Sequence, residues 1–120
     1  MINIKNIKQS YSQGKSTIKV LDNLNLKICK GEKVGIVGPS GSGKTTLLNI
    51  IGLLEKPDSG SIEINQVDCV SMNLEQKTLF RRNYIGYIFQ NNQLLEDFSV
   101  IENVAVPLIL KNLSKKLSFK

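Results

Sequence analysis

Histidine and tryptophan are absent from the 120 residues, and the chain carries only two cysteines and three prolines. Without an imidazole it supplies no His-based triad, no histidine metal ligand and no imidazole general base. Cys29 and Cys69 lie far apart and form no CxxC pair. Two buried thiols in a reducing compartment are the expectation, with a disulfide as the alternative. The longest apolar run, Val104–Leu110, is interrupted by Pro107. A bilayer-spanning helix needs about 20 apolar residues, so the chain does not cross a membrane by itself. Residues 1–20 alternate polar and apolar without a continuous apolar stretch, so no signal peptide is expected.

What is present fits a globular chain of one domain at most: 41% apolar and 22% charged residues, with no repeat and no low-complexity segment. The net charge of +6 suits an anionic ligand or a membrane surface. The surplus is uneven, because Lys111, Lys115, Lys116 and Lys120 supply four of the six charges. A basic tail over residues 111–120 is a weak sign of nucleic-acid binding, and no nucleic-acid partner is expected.

The first half reads as strands and turns. Ile2, Ile4 and Ile7 begin a half-buried strand, Ser10–Ser16 suits a turn, and Ile18–Leu21 continues extended. Leu24, Leu26 and Ile28 alternate with polar residues, the period of a strand with one face buried. Lys30–Gly31–Glu32 is a turn, and Val34–Val37 reads as a strand covered on both faces. Lys44–Leu54 is apolar around most of a helical circumference and is expected to be a buried helix. Pro57–Asp58–Ser59–Gly60 is a turn by composition, followed by a strand over Ser61–Asn65. A helix over Leu74–Arg82 and an extended run over Tyr84–Phe89 come next. Ser99 with Glu102 forms a capping box ahead of a helix over Val100–Leu110, bent or stopped near Pro107. The capping box accounts for Glu102, which is read as a cap and not a catalyst.

Chemistry concentrates in Gly38–Pro39–Ser40–Gly41–Ser42–Gly43–Lys44–Thr45, which matches G-x-x-x-x-G-K-[ST]. That pattern wraps a polyphosphate with inward-pointing backbone N–H groups. Gly38, Gly41 and Gly43 permit positive φ and keep Cβ atoms out of the way of phosphate oxygens. Because the loop opens a helix, unpaired amides and the helix dipole face the anion together. Lys44 would reach the β- and γ-phosphates, and the Thr45 hydroxyl would hold Mg²⁺.

Several stretches together resemble the ATP-binding subunits of ABC transporters: GPSGSGKTT at Gly38–Thr46, PDSG at Pro57–Gly60, YIFQ at Tyr87–Gln90 and LLEDFSVIENVAVPL at Leu94–Leu108. The resemblance runs from the start of the chain to about Leu110, and the last stretch is most similar to subunits of lipoprotein-releasing systems. It implies an α/β P-loop NTPase of ABC type, truncated: N-terminal antiparallel strands, a P-loop core and the start of a helical lobe. Residues 1–110 would be the N-terminal part of the nucleotide-binding domain. The implied ligands are ATP and Mg²⁺. Gly38 through Thr46 would contact the nucleotide, and Tyr11 would stack on adenine. Gln90 would meet Mg²⁺ and the attacking water. Asn91–Ser99 would begin the lobe that touches integral membrane subunits. Further implied are a second ATP-binding subunit in a homodimer and a peripheral location on the cytoplasmic face of the bacterial inner membrane.

The same resemblance predicts parts that are not found between Gln90 and Lys120: an LSGGQ-like signature, an apolar run ending in Asp-Glu, and a switch histidine. Phosphoryl transfer needs charge stabilisation on both sides of the γ-phosphate, and this sequence supplies one side. The expectation is therefore an ABC-type ATPase by family whose 120 residues bind ATP weakly or not at all and do not hydrolyse it. The P-loop strand is expected to have open edges and a poorly covered apolar face. The alternatives are a non-hydrolysing or split nucleotide-binding module, a macrolide-export or cell-division member of the family, and a small P-loop kinase. The kinase is disfavoured by the strands ahead of the P-loop.

Overall fold

The computed structural model describes residues 1–91 and 93–111, so residue 92 and the basic tail from 112 onward lie outside the described residues. The chain divides into two compact units, Met1–Lys77 and Thr78–Lys120.

The first unit is built on an antiparallel sheet of order β2-β1-β3-β4, with β1 at Ile2–Gln13, β2 at Ser16–Ile28, β3 at Ser59–Ile64 and β4 at Val67–Asp68. The β1–β2 turn is tighter than Ser10–Ser16. The strands stay paired up to Gln13 opposite Ser16, and Gly14 supplies the positive φ (61°) of a two-residue loop.

Strict alternation fails twice in this sheet. Ile4 and Ile7 are both buried, as is Leu21, with Leu24 half-buried, although each pair is three residues apart. Between them Asn6 (φ 53°) and Asn23 (φ 57°) adopt left-handed backbone, and the β1–β2 register shifts between Ile4 and Ile7. Each extra residue returns the next apolar side chain to the core face. Asn25 fastens the paired bulges: its Oδ1 accepts from Asn6 N–H at 3.0 Å and its Nδ2 donates to Asn23 O at 2.9 Å.

The helix α1 spans Lys44–Ile51, shorter than Lys44–Leu54. Its end is a Schellman closure, with Leu54 N–H bonded to Asn49 O (2.9 Å), Leu53 N–H to Ile50 O (3.1 Å) and Leu53 at φ 56°. The left-handed position falls on Leu53 and not on Gly52, and burial of the Leu53 side chain offsets a backbone cost of about 1–2 kcal/mol. Leu47, Ile50 and Leu53 are buried, whereas Leu48 and Leu54 are exposed. The helix is thus buried on one face, not around its circumference. Ile4, Ile7, Ile50, Ile62 and Cys69 are the most deeply buried side chains of this unit.

Neither Val34–Val37 nor the run after Tyr84 forms a strand. β-Branched composition favours an extended backbone, but a strand requires a hydrogen-bonded neighbour, and none of the described residues pairs with either run. Val37 is 92% exposed and Ile88 97% exposed, as open edges without a covering layer would leave them.

The helix α2, Leu74–Tyr84, crosses the boundary between the units and runs two residues past Arg82. It starts at a reciprocal cap, Asn73 Oδ1 accepting from Gln76 N–H and Gln76 Oε1 from Asn73 N–H, each at 2.9 Å. In the second unit, α3 covers Val100–Leu110 behind the expected Ser99/Glu102 capping box. Pro107 does not stop it. The ring removes one N–H near the C-terminal end, and the last turn still closes through Lys111 N–H to Leu108 O at 3.1 Å. Cys69 is buried as expected, but Cys29, just past the end of β2, is exposed, and both thiols are free.

Candidate nucleotide-binding site

The Gly38–Thr46 loop lies wholly in the first unit. The helix α1 begins at Lys44, and Gly43 ahead of it has φ 86° with no side-chain cap on the helix. The first intrahelical bond runs from Leu47 N–H to Gly43 O at 2.8 Å. The amides of Lys44, Thr45 and Thr46 therefore have no helical acceptor, and they meet the positive end of the helix dipole. This is the donor set an anion requires.

The three glycines of the loop do different things. At Gly43 a Cβ would fall 2.9 Å from Val20 Cγ1 and 3.1 Å from Leu21 Cδ2, so its bareness lets the helix start rest on β2. At Gly38 a Cβ would fall 2.9 Å from Ser42 Oγ. Only Gly41 (φ 79°) faces open space. Packing thus demands glycine at Gly43, whose neighbours include the Val20 carbonyl, whereas at Gly38 the close atom is the rotatable Ser42 hydroxyl and at Gly41 there is none.

Lys44 closes the loop on itself. Its Nζ donates to Gly38 O (2.9 Å), Pro39 O (2.6 Å) and Ser42 Oγ (3.4 Å). Three acceptors match the three protons of an ammonium, so the lysine holds the arch while keeping a positive charge inside it. Ser42 N–H bonds Pro39 O at 3.3 Å across the turn that carries Ser40. Thr45 is exposed on the first helical turn.

Tyr11 is brought to the same region. It lies on β1 opposite Ile18, the residue is 40% exposed, and its Oη approaches Glu55 Oε1 (2.5 Å) and Thr46 Oγ1 (3.4 Å). The hydrogen bond to Glu55 holds the phenol pKa above its ordinary value, because a carboxylate acceptor favours the protonated form. Gln90 belongs to the second unit, exposed at a bend after Phe89, whose ring tilts against Tyr87 at a centroid distance of 4.5 Å.

Sequence reasoning overlooked Glu55, and it treated Asp58 only as part of a turn. Asp58 Oδ2 accepts from Ser10 N–H (2.8 Å), and its own N–H reaches Lys8 O (3.0 Å) and Gln9 Oε1 (3.2 Å). This knot ties the start of β3 to β1 and satisfies Gln9, which is only 5% exposed. A polar residue at Gln9 on the buried parity of β1 was the available signal.

Residues 21–119 match the family model described as ABC transporter. The chain is 47% identical to the lipoprotein-releasing system ATP-binding protein LolD of Rickettsia bellii (strain RML369-C), over 97% of this chain and 50% of that protein. It is 46% identical to the protein of that name from Ehrlichia ruminantium (strain Gardel), over 92% of this chain and 50% of the relative. It thus spans about half the length of the curated relatives it matches. Among solved structures it is similar to the dimeric ATP-binding cassette MJ0796 in a post-hydrolysis state with ADP and Pi, with a TM-score of 0.94 and 40% identity. That match covers 99% of this chain and 53% of the other, and it identifies the fold as that of an ABC-type P-loop NTPase over this extent. With a glycine-rich arch leading into α1 and a family match across most of its length, the chain belongs to the ABC transporter family.

Proposed function

We propose that this chain is the P-loop part of the ATP-binding subunit of a bacterial transporter, acting in lipoprotein release at the inner membrane. The observation that carries the nucleotide assignment is the uncapped first turn of α1 beside an arch already closed on the Lys44 ammonium. The residues fit a Mg²⁺–triphosphate: three amides without helical acceptors, the Lys44 ammonium on the arch beside them, an open Gly41 and an exposed Thr45. Lys44 would exchange carbonyl partners for phosphate oxygens, and the Thr45 hydroxyl would hold the metal. Mg²⁺ supplies charge neutralisation on the phosphates when bound. Tyr11 would offer its exposed ring face to adenine.

The lipoprotein-release assignment rests on the similarity to LolD proteins and on the LLEDFSVIENVAVPL stretch. In the second unit Leu94, Phe98, Val100 and Val104 are exposed and, with Asn103, line a cavity of about 460 Å³, an apolar surface that suits an integral membrane subunit. A second ATP-binding subunit is the other proposed partner, in keeping with the dimeric cassettes the fold resembles. The location would be peripheral, on the cytoplasmic face.

Residues 1–120 by themselves would bind Mg-ATP weakly and not hydrolyse it, since they contain neither an LSGGQ-like signature nor an apolar run ending in Asp-Glu. Equilibrium dialysis with Mg-ATP tests this. The unsubstituted chain should bind in the millimolar range and Lys44→Met at least about tenfold more weakly. Lys44-dependent hydrolysis above background would overturn the proposed inactivity, and no binding at millimolar ATP would overturn the site. The exposure of Val37 and Ile88 favours a second element of the proposal, that hydrolysis needs further parallel strands beside these runs. Adding a folded C-terminal half of a LolD relative should then restore turnover, and no gain on mixing would count against it.

A further inference from the structure

We propose that Glu55 is a positioning residue for nucleotide binding, fixing the Tyr11 ring through its hydroxyl so that one ring face stays presented for a base. The inference rests on Tyr11 as the adenine platform and goes beyond it, because it assigns a role to a carboxylate outside the P-loop and outside any phosphate contact.

The argument begins with donor counting. A phenol has one proton, an ionised carboxylate only accepts, and a threonine hydroxyl does either. With Tyr11 Oη between Glu55 Oε1 at 2.5 Å and Thr46 Oγ1 at 3.4 Å, the phenol proton goes to Glu55. The longer contact is left for the Thr46 hydroxyl to donate to the phenol oxygen. The chain of groups is therefore Thr46 to Tyr11 to Glu55. Thr46 sits on the first turn of α1, next to Thr45 and Lys44, while Glu55 lies past the Schellman closure at the other end of that helix. Tyr11 belongs to β1, two residues before the end of the strand at Gln13.

A side chain so close to a hairpin tip would otherwise rotate about two torsions. A hydroxyl held at both sides fixes the first torsion, and because a phenol O–H prefers the ring plane the bond to Glu55 also restrains the second, without covering the residue, which remains 40% exposed. Binding a base to a ring already fixed avoids the ordering cost that a free side chain would incur.

The test measures binding of Mg-ATP and of Mg-tripolyphosphate, which lacks the base, to the same chain and its variants by calorimetry. Tyr11→Phe deletes one atom and keeps the ring. Glu55→Ala removes the acceptor, and Glu55→Gln keeps one. Tyr11→Phe and Glu55→Ala should each weaken Mg-ATP about 3- to 10-fold and leave tripolyphosphate unchanged. Glu55→Gln should retain most of the Mg-ATP affinity. Equal losses for the two ligands would make Glu55 a purely structural contact and overturn the proposal. Normal Mg-ATP binding by Tyr11→Phe and Glu55→Ala, with Tyr11→Ala weakened, would overturn the role of Glu55 while leaving the platform. Unchanged binding by Tyr11→Ala, or no binding by the unsubstituted chain, would remove the platform and the role together.

Discussion

Asn103 pairs with the peptide unit of Leu95 as a neighbouring strand would, its Oδ1 accepting from Leu95 N–H at 2.8 Å and its Nδ2 donating to Leu95 O at 3.1 Å. The same Nδ2 also reaches Phe98 O (3.0 Å) and Ser99 O (3.1 Å). One carboxamide on the first turn of α3 thus sets the course of the loop that presents Leu94 and Phe98. Replacing it by alanine frees four contacts at once but removes no core atom. Asn103→Ala should raise hydrogen exchange at the Leu95 amide at least about tenfold and leave global stability within about 1 kcal/mol. Mass spectrometry of exchange, read beside a urea titration, checks both halves. An unchanged Leu95 amide would mean that the loop is held some other way.

Gly60 is the position where the sheet tolerates least. Its φ is 102°, and a Cβ there would lie 2.6 Å from Lys5 O and 2.7 Å from Asn6 O, in the hollow opposite the β1 bulge. The obstacle is backbone, which cannot rotate aside. Gly60→Ala should cost about 3 kcal/mol, from left-handed strain and from the clash together. Gly35→Ala, at a position without positive φ and with nothing within 4 Å, should stay within about 0.5 kcal/mol. Urea midpoints for the two variants at unchanged slope provide the measurement.

What made parts of this molecule legible in its sequence was locality. The P-loop and the α3 capping box are specified by residues within one or two turns, so spacing alone reveals them. Asn6 and Asn23 are different: each reads as an ordinary polar residue until the strand opposite is known, and only then does the broken parity of Ile4 and Ile7 become a bulge. Glu55 is 44 residues from Tyr11, and no periodicity links them. Val34–Val37 fails for another reason. Its composition reports a preference for extended backbone, whereas strand formation depends on a neighbour that none of the described residues provides.

Within the P-loop the glycines should separate by consequence. Gly43→Ala meets Val20 and Leu21 as well as left-handed strain, so it should lower stability by about 2–3 kcal/mol and abolish Mg-ATP binding. Gly41→Ala carries the strain alone, about 1 kcal/mol, and should fold normally. Thermal unfolding with and without Mg-ATP distinguishes them. Equal destabilisation would show that the contact with β2 is not what Gly43 provides.

The exposed runs set an association hazard. Val37 projects 92% of its surface into solvent from a β-branched stretch with no partner strand among the described residues, an invitation to pair with another copy. Val37→Lys should leave the urea midpoint almost unchanged, because nothing buried is lost, and should reduce aggregation on concentration. Light scattering across a concentration series tests this, and a variant that aggregates as readily as the original would place the sticky surface elsewhere.

The two cysteines should behave as different chemical species. Cys29 is exposed, whereas Cys69 is buried, its thiol directed at Val67 O (3.4 Å) and its pKa raised because burial disfavours the thiolate. A thiol-specific chromogenic disulfide at neutral pH should therefore modify one equivalent quickly and the second only at the rate of unfolding. The sign of the pH effect follows from the raised value. The unfolded chain releases the Cys69 proton first, so the contribution of this group to stability is intact below the ordinary thiol pKa. It is lost as pH rises from that value through the folded one. Cys69→Ala removes the titration and should flatten the stability profile across that alkaline window, at the cost of a small cavity. Rapid modification of both thiols in the native chain would contradict the burial of Cys69 and the profile derived from it.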